Sequence, residues 1–185
     1  MTSDLTTRAQ NVLMSVFDWQ DTGLEYGEGA YLFDRDGKKY LDFTSGIAVN
    51  ALGHNHPAYV VAAADQIAKV NHLSGSHLSE WKVRAAEILT SHSCMDKVFY
   101  CNSGTEATEA ALKLSRKWAK ENKGPDCIET ICFENAFHGR TYGALSVTWT
   151  KAKHAPFEPV LPGARFATFN DLESVRALVS DKTAA

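Results

Sequence analysis

No apolar run in this 185-residue chain approaches the length of a membrane span, so no transmembrane helix is expected. There is no excess of basic residues either. The formal net charge is -3 and the lysines and arginines are scattered, which argues against nucleic acid or an anionic membrane surface as a partner. The opening residues, MTSDLTTRAQNVLM, carry neither a basic start with an apolar core nor an arginine-rich, acid-poor presequence. The cytoplasm is therefore the expected compartment, with the mitochondrial matrix as the alternative if a presequence has been trimmed. Cys94, Cys101, Cys127 and Cys132 lack CxxC spacing and read as free thiols rather than a disulfide pair. HExxH, GxSxG, Walker A and a GxGxxG following a strand are all missing, which removes the common hydrolase, NTPase and dinucleotide-binding readings. His54 and His56 in GHNHP stand without a nearby carboxylate or cysteine pattern, so a structural loop is expected there and no metal.

What is present is a globular composition, without internal repeats or long linkers. Residues 4–17 read as a first helix. EYGEGAYLFDRDGKKYLDF reads as a hairpin turning at Asp36-Gly37, with Tyr31, Phe33, Tyr40, Leu41 and Phe43 on its arms. TSGIAVNALGHNH, rich in small residues, reads as an extended loop. Pro57 suits the first turn of a helix over 57–70 with Val60, Ala64 and Ile67 on its stripe, and Ser79 can cap another carrying Val83, Ala86 and Leu89. From there the pattern alternates: strand 97–101, helix 105–122, strand 127–133, a short helix at 142–147, strand 165–169 and a helix capped by Asn170. Strands separated by helices predict an α/β domain with a mainly parallel sheet. The strands are too few for a finished domain, and SDKTAA follows a helix where a further strand is due, so a fragment is expected.

Two loops invite chemistry. In VFYCNSGTEATEAALKLSRKW an apolar pulse passes through Asn102-Ser103-Gly104-Thr105 into a long run of helix formers. A helix N-terminus offers unpaired N–H groups and partial positive charge to a phosphate, Gly104 allows close approach, and the hydroxyls of Ser103 and Thr105 add donors. Ser103 followed by Glu106 is also a capping box that needs no ligand, and on these residues alone the plain cap is the commoner case. Behind it, Ala107, Ala110, Ala111, Leu114 and Trp118 form the expected buried stripe, with Lys113, Lys117 and Lys120 in solvent and Glu106 and Glu109 limited to local bonding. In FENAFHGRTYGALS, Phe137 can stack on a planar ring and Arg140 can grip a carboxylate. A packed phenylalanine and a surface arginine would explain the same letters. Ligands in open α/β sheets collect beyond the carboxyl ends of the strands, where both loops are expected.

Taken together, LDFTSGIAVNALGHNHP, FYCNSGTEATEAALKLSRK and FENAFHGRTYGALS resemble the N-terminal half of class-III pyridoxal-phosphate-dependent aminotransferases. The resemblance implies an incomplete fold-type-I transferase, with residues 1–44 belonging to the small domain and 45–185 opening the large one. It implies pyridoxal 5'-phosphate held through Gly104 and Thr105 with Ser103 beside them, Phe137 stacked on its ring, and Arg140 on the substrate's α-carboxylate. Ile47 resembles the residue in members that act on acylated ornithines, where ornithine-acting members carry tyrosine. The implied reaction moves an amino group between an acylated ornithine such as N-acetylornithine and 2-oxoglutarate, in a homodimer.

Two departures from the family pattern stand out: Thr108 replaces the usual asparagine, and HLSGSHLSEWKV replaces a stretch that in relatives serves the dimer interface. The family also needs a Schiff-base lysine and an aspartate under the pyridine nitrogen, and both lie past the end of this chain in relatives. Lys113, Lys151 and Lys153 occur in no such context, so catalysis by this segment alone is not expected and the segment is expected to fold poorly. A non-catalytic truncated relative, an ornithine- or 4-aminobutyrate-type transaminase and a different phosphate-binding α/β module are the rival readings.

Overall fold

The computed structural model describes residues 4–185, and the chain divides into two compact units, one ending at Val83 and the other starting at Arg84. The first unit opens with helix α1, Asp4–Val12, shorter than the 4–17 expected. Leu13, Met14, Val16 and Phe17 are all exposed, so no packing rewards a longer helix. Strands β1 (Leu24–Glu28), β2 (Tyr31–Asp34) and β3 (Lys39–Leu41) form an antiparallel meander. The expected hairpin is β2–β3, with Tyr31 opposite Leu41 and Phe33 opposite Lys39; β1 adds a third strand whose Tyr26 ring stacks on Phe33 at 4.5 Å. The turn is tied by Asp34, whose carboxylate accepts from the Tyr40 hydroxyl at 2.8 Å and from the N–H groups of Lys38 and Asp36 at 2.9 and 3.0 Å. These bonds, the tyrosine's first, hold its carboxyl below the ordinary value.

The stretch expected to be an extended loop contains a one-turn element, α2 (Ser45–Ala48), of left-handed backbone. Ser45, Gly46, Ile47 and Ala48 have φ of 48°, 63°, 60° and 64°. Each non-glycine residue in that region costs about 1–2 kcal/mol, so such a turn persists only where its surroundings hold it. Asp42 does the holding. One carboxylate oxygen accepts from the Thr44 hydroxyl at 2.7 Å and from the N–H groups of Ser45 and Thr44 at 2.8 and 3.0 Å, and the other meets His54 Nε2 at 2.7 Å. His54 exchanges backbone hydrogen bonds with Gly29 at 2.7 and 3.0 Å, and its ring fills the space a side chain at Gly27 would need. GHNHP is thus a structural loop, but one with a carboxylate beside it that sequence spacing concealed. Among the described residues no group of three metal-ligating side chains occurs.

His54, then Thr44 and the Ser45 N–H, hold the Asp42 carboxyl at about 2. Because this lies below the unfolded value, the contribution is complete above about pH 4 and is lost as pH falls through about 2. The denaturation midpoints of the wild type and Asp42→Asn should therefore stand apart near neutrality and converge towards pH 2. A gap independent of pH would refute this assignment. Helix α3, Pro57–Lys69, begins at the proline as expected and leaves Val60 and Ile67 exposed. Helix α4, Glu80–Ser91, is capped by Ser79, whose hydroxyl accepts from the Lys82 N–H at 3.3 Å.

In the second unit no strand forms over 97–101. Its apolar letters are there, but no described residue supplies the ladder, and Phe99 is exposed. Helix α5 spans Gly104–Asn122. Strands β4 (Thr130–Phe133) and β5 (Ala164–Ala167) pair in parallel, bearing out a parallel α/β arrangement with both strands shorter than expected. Along β4's other side, Thr183 bridges Glu129 in parallel, and the Ile131 N–H donates to the Ala185 carbonyl at 2.8 Å. Between the strands lie α6 (Tyr142–Ser146), α7 (Lys151–His154) and a 3-10 turn, Ala155–Phe157; the last two were not expected. Helix α8, Leu172–Leu178, is capped by Asp171 rather than Asn170. The Asp171 carboxylate takes the N–H groups of Glu173 and Ser174, while Asn170 adopts the left-handed conformation that asparagine tolerates.

The core joins Leu112, Cys132 and Val147, with Leu161, Ala164 and Phe166 packed against it. Burial pushes the Cys132 thiol up to about 11, so it packs as a small apolar group. All four cysteines are free, Cys127 and Cys132 buried and Cys94 and Cys101 exposed. The expected stripe on α5 is corrected: Ala107, Ala111, Leu114 and Trp118 are exposed, and the helix buries Leu112 and Ala119 instead. The helix has a second apolar face, and in this unit β4 and α6 cover only the one bearing Leu112.

Candidate functional site

The start of α5 shows why Asn-Ser-Gly-Thr-Glu stands where it does. Ser103 is extended, with φ -152° and ψ 160°, and its hydroxyl accepts the Glu106 N–H at 3.3 Å. The same hydroxyl donates in turn to the Glu106 carboxylate, at 2.8 Å. The cap is therefore real, and it uses the Ser103 proton. The N–H groups of Gly104 and Thr105 have no partner among the described residues, as the first turn of a helix requires. Nothing lies within 4 Å of where a side chain at Gly104 would begin. Two unpartnered backbone donors thus stand at the positive end of a five-turn helix, beside the open space at Gly104, which fits an anionic group of phosphate size.

The chain leaving the end of β4 returns to this point. The His138 carbonyl accepts from the Thr108 hydroxyl at 3.0 Å, and the His138 N–H donates to the Thr148 hydroxyl at 2.9 Å. Gly139, at φ 134°, lies so close to Thr105 that a Cβ there would stand 2.2 Å from Thr105 Oγ1. The Thr105 and Thr141 hydroxyls meet at 3.1 Å, and Thr141 donates in turn to the Glu109 carboxylate. That carboxylate also takes the N–H groups of Gly143 and Ala144, at 3.0 and 3.2 Å, so Glu109 caps α6 from another helix.

The structure brings Thr105 and the Arg140 loop together. Phe137 and Arg140 line one cavity of about 390 Å³ with Leu145, Lys153 and Phe157, in which the Lys153 ammonium lies 5.7 Å from the Phe137 ring centre. Ser103, Gly104 and Thr105 do not line that cavity. Ile47 belongs to the first unit, where it stands 92% exposed on the left-handed turn. Sequence reasoning missed Thr141 and Thr148 and restricted Glu109 to local bonding. Its only signal was indirect: Thr108, flagged as a departure from the usual asparagine, turns out to bond the His138 carbonyl.

The second unit thus joins an anion-ready helix start to an arginine-bearing loop within a parallel α/β arrangement. The aminotransferase class-III family profile matches residues 19–185, and the chain belongs to that family. Its members are aminotransferases that use pyridoxal phosphate, and the resemblance carried by the three motifs is borne out at that level.

The chain is 46% identical to an acetylornithine aminotransferase of Aquifex aeolicus over 159 residues, 85% of this chain and 42% of that protein. It is 43% identical to one from Clostridium acetobutylicum over 177 residues, 96% of this chain and 46% of that protein. A crystal structure of ornithine aminotransferase from Toxoplasma gondii matches with a TM-score of 0.91 at 28% identity, covering 98% of this chain and 44% of that one. The chain thus spans less than half the length of the relatives it matches. No helix among the described residues is long and apolar enough to cross a membrane.

Proposed function

We propose that this chain supplies the phosphate grip and the carboxylate grip of a transaminase acting on N-acetylornithine or a related acylated ornithine, with 2-oxoglutarate as acceptor. The observation that carries the proposal is the open space and unpaired N–H pair at Gly104 and Thr105, locked through Gly139 to the loop bearing Arg140. When bound, pyridoxal phosphate supplies the electron sink for breaking the substrate's Cα–H bond. The chain's own residues bind and orient. The N–H groups of Gly104 and Thr105 take the phosphate, while Ser103 serves first as the cap that fixes their direction. Phe137 offers its ring to the pyridine face, and Arg140 holds the α-carboxylate in bidentate fashion.

Ile47, exposed on its left-handed turn, is our candidate for the substrate's acyl end. The preference for an acylated ornithine rests on the motif around it and on relatives named acetylornithine aminotransferase. We further place the protein in the cytoplasm as a homodimer, with a small-domain segment over 1–44 and the large domain from 45. The name of a Schizosaccharomyces pombe relative, a probable mitochondrial acetylornithine aminotransferase, makes the mitochondrial matrix the second location.

The test is binding of pyridoxal phosphate against pyridoxal, followed by absorbance. The phosphate compound should bind at least about tenfold tighter, as charge-assisted bonds to N–H donors predict. Arg140→Ala should weaken the amino-acid substrate by roughly tenfold to a hundredfold, from the about 1.5–3 kcal/mol of a charged hydrogen bond. Phe137→Ala should weaken the cofactor by about three- to tenfold through lost stacking. Equal affinity for the two pyridoxal compounds would sink the reading.

A further inference from the structure

We propose that Glu109 is a positioning residue that sets the phosphate hinge and the arginine loop as one unit; the proposal rests on the roles assigned above to Thr105 and Arg140. A single oxygen, Oε1, accepts from the Thr141 hydroxyl and from the Gly143 and Ala144 N–H groups. These partners lie 32 to 35 residues further along the chain, so this is a tertiary clamp and not bonding within α5. Gly143 makes room for it: a Cβ there would stand 2.3 Å from the other carboxylate oxygen.

The carboxylate also fixes the direction of the hydroxyl chain. It cannot donate, so the Thr141 proton goes to Glu109, and across the 3.1 Å pair the Thr105 proton goes to Thr141. Thr105 thereby commits its hydroxyl proton to Thr141, leaving a bound phosphate to the N–H groups. Arg140 is pinned on both sides, through Gly139 against Thr105 and through Thr141 on Glu109. A site loses most when such supporting contacts loosen, because both grips must hold one geometry together. Glu109 therefore couples cofactor affinity to substrate affinity.

The experiment compares the wild type with Glu109→Ala, Glu109→Gln and Thr141→Val. Pyridoxal phosphate is titrated by absorbance, and the Kd of the amino donor is titrated on the cofactor-saturated protein. Glu109→Ala should raise the Kd of both pyridoxal phosphate and the amino donor by about tenfold or more. Glu109→Gln keeps an acceptor oxygen for the α6 N–H groups and should stay within about threefold of wild type. Thr141→Val cuts both the bridge to Thr105 and the pin on the Arg140 loop but leaves α6 capped, so it should weaken both ligands, by less than Glu109→Ala does.

A plain structural brace would lower the melting temperature of Glu109→Ala and leave both affinities at wild-type values in the folded protein; that result overturns the proposal. If Glu109→Ala does not fold, Thr141→Val decides, and an unchanged cofactor affinity overturns it. A wild-type protein that does not distinguish pyridoxal phosphate from pyridoxal overturns the reading of the hinge itself, and the coupling with it.

Discussion

Gly139→Ala should be the most damaging single-methyl change in this chain. Gly139 sits at φ 134°, where any side chain is strained, and an added Cβ would lie 2.2 Å from Thr105 Oγ1, 2.7 Å from Thr105 Cβ and 2.9 Å from Ala144 Cβ. Backbone strain of about 1–3 kcal/mol and overpacking of about 1–3 kcal/mol act together, so a loss of roughly 2–6 kcal/mol is expected. The urea midpoint should fall with an unchanged slope. Under the proposed function, affinity for pyridoxal phosphate should fall as well, because the methyl pushes on Thr105 at the hinge. Removing Thr105 Oγ1 in the double variant Gly139→Ala, Thr105→Ala should recover only part of the stability, since the Cβ contacts and the backbone strain remain. Full recovery would show that the hydroxyl clash alone matters, and wild-type stability of the single variant would contradict the packing described.

Thr148→Val comes second, and it tests hydrogen bonding with volume held constant. Thr148 is 1% exposed. Its hydroxyl accepts the His138 N–H at 2.9 Å and donates to the Ala144 carbonyl at 3.0 Å, tying the loop before Arg140 to helix α6. Valine has the same shape and neither function, so the His138 N–H is left without its acceptor. An unsatisfied donor costs about 1–3 kcal/mol when fully buried; the His138 N–H is part-buried, so the expected loss lies at the lower end, about 1–2 kcal/mol. Thr148→Ser keeps the hydroxyl and loses a methyl, so it should cost about 1 kcal/mol. Denaturant melts of the two variants check this. A serine variant worse than the valine variant would mean that the methyl, not the hydroxyl, fastens the loop.

Both changes act on contacts that no local pattern announces, and the same division runs through the fold. The Ser103 cap, the Pro57 helix start and the β2–β3 turn at Gly37 were legible because each is decided by residues within one turn of each other. The failures have a common cause. Periodicity located α5 but chose the wrong face, since a helix with two apolar stripes gives no local sign of which one a given layer will cover. Residues 97–101 have strand letters but no strand, because a ladder is made by partners elsewhere in the chain. Asn170 and Asp171 are both competent caps, and only the left-handed turn at Asn170 gives the role to Asp171.

At the candidate site the sequence alone determined the parts: a helix start with free N–H groups, a glycine beside it, an aromatic and an arginine in the loop after a strand. The tertiary structure decided how they are joined. Glu109 reaches across 32 to 35 residues to hold Thr141 and cap α6, Thr108 and Thr148 hold His138, and Asp42 with His54 holds the left-handed turn under Ile47. Caps and periods are set by bonds within a few residues, whose closure entropy is small. Clamps of this kind exist only after long loops have closed, when packing has already compensated the entropy of bringing the partners together.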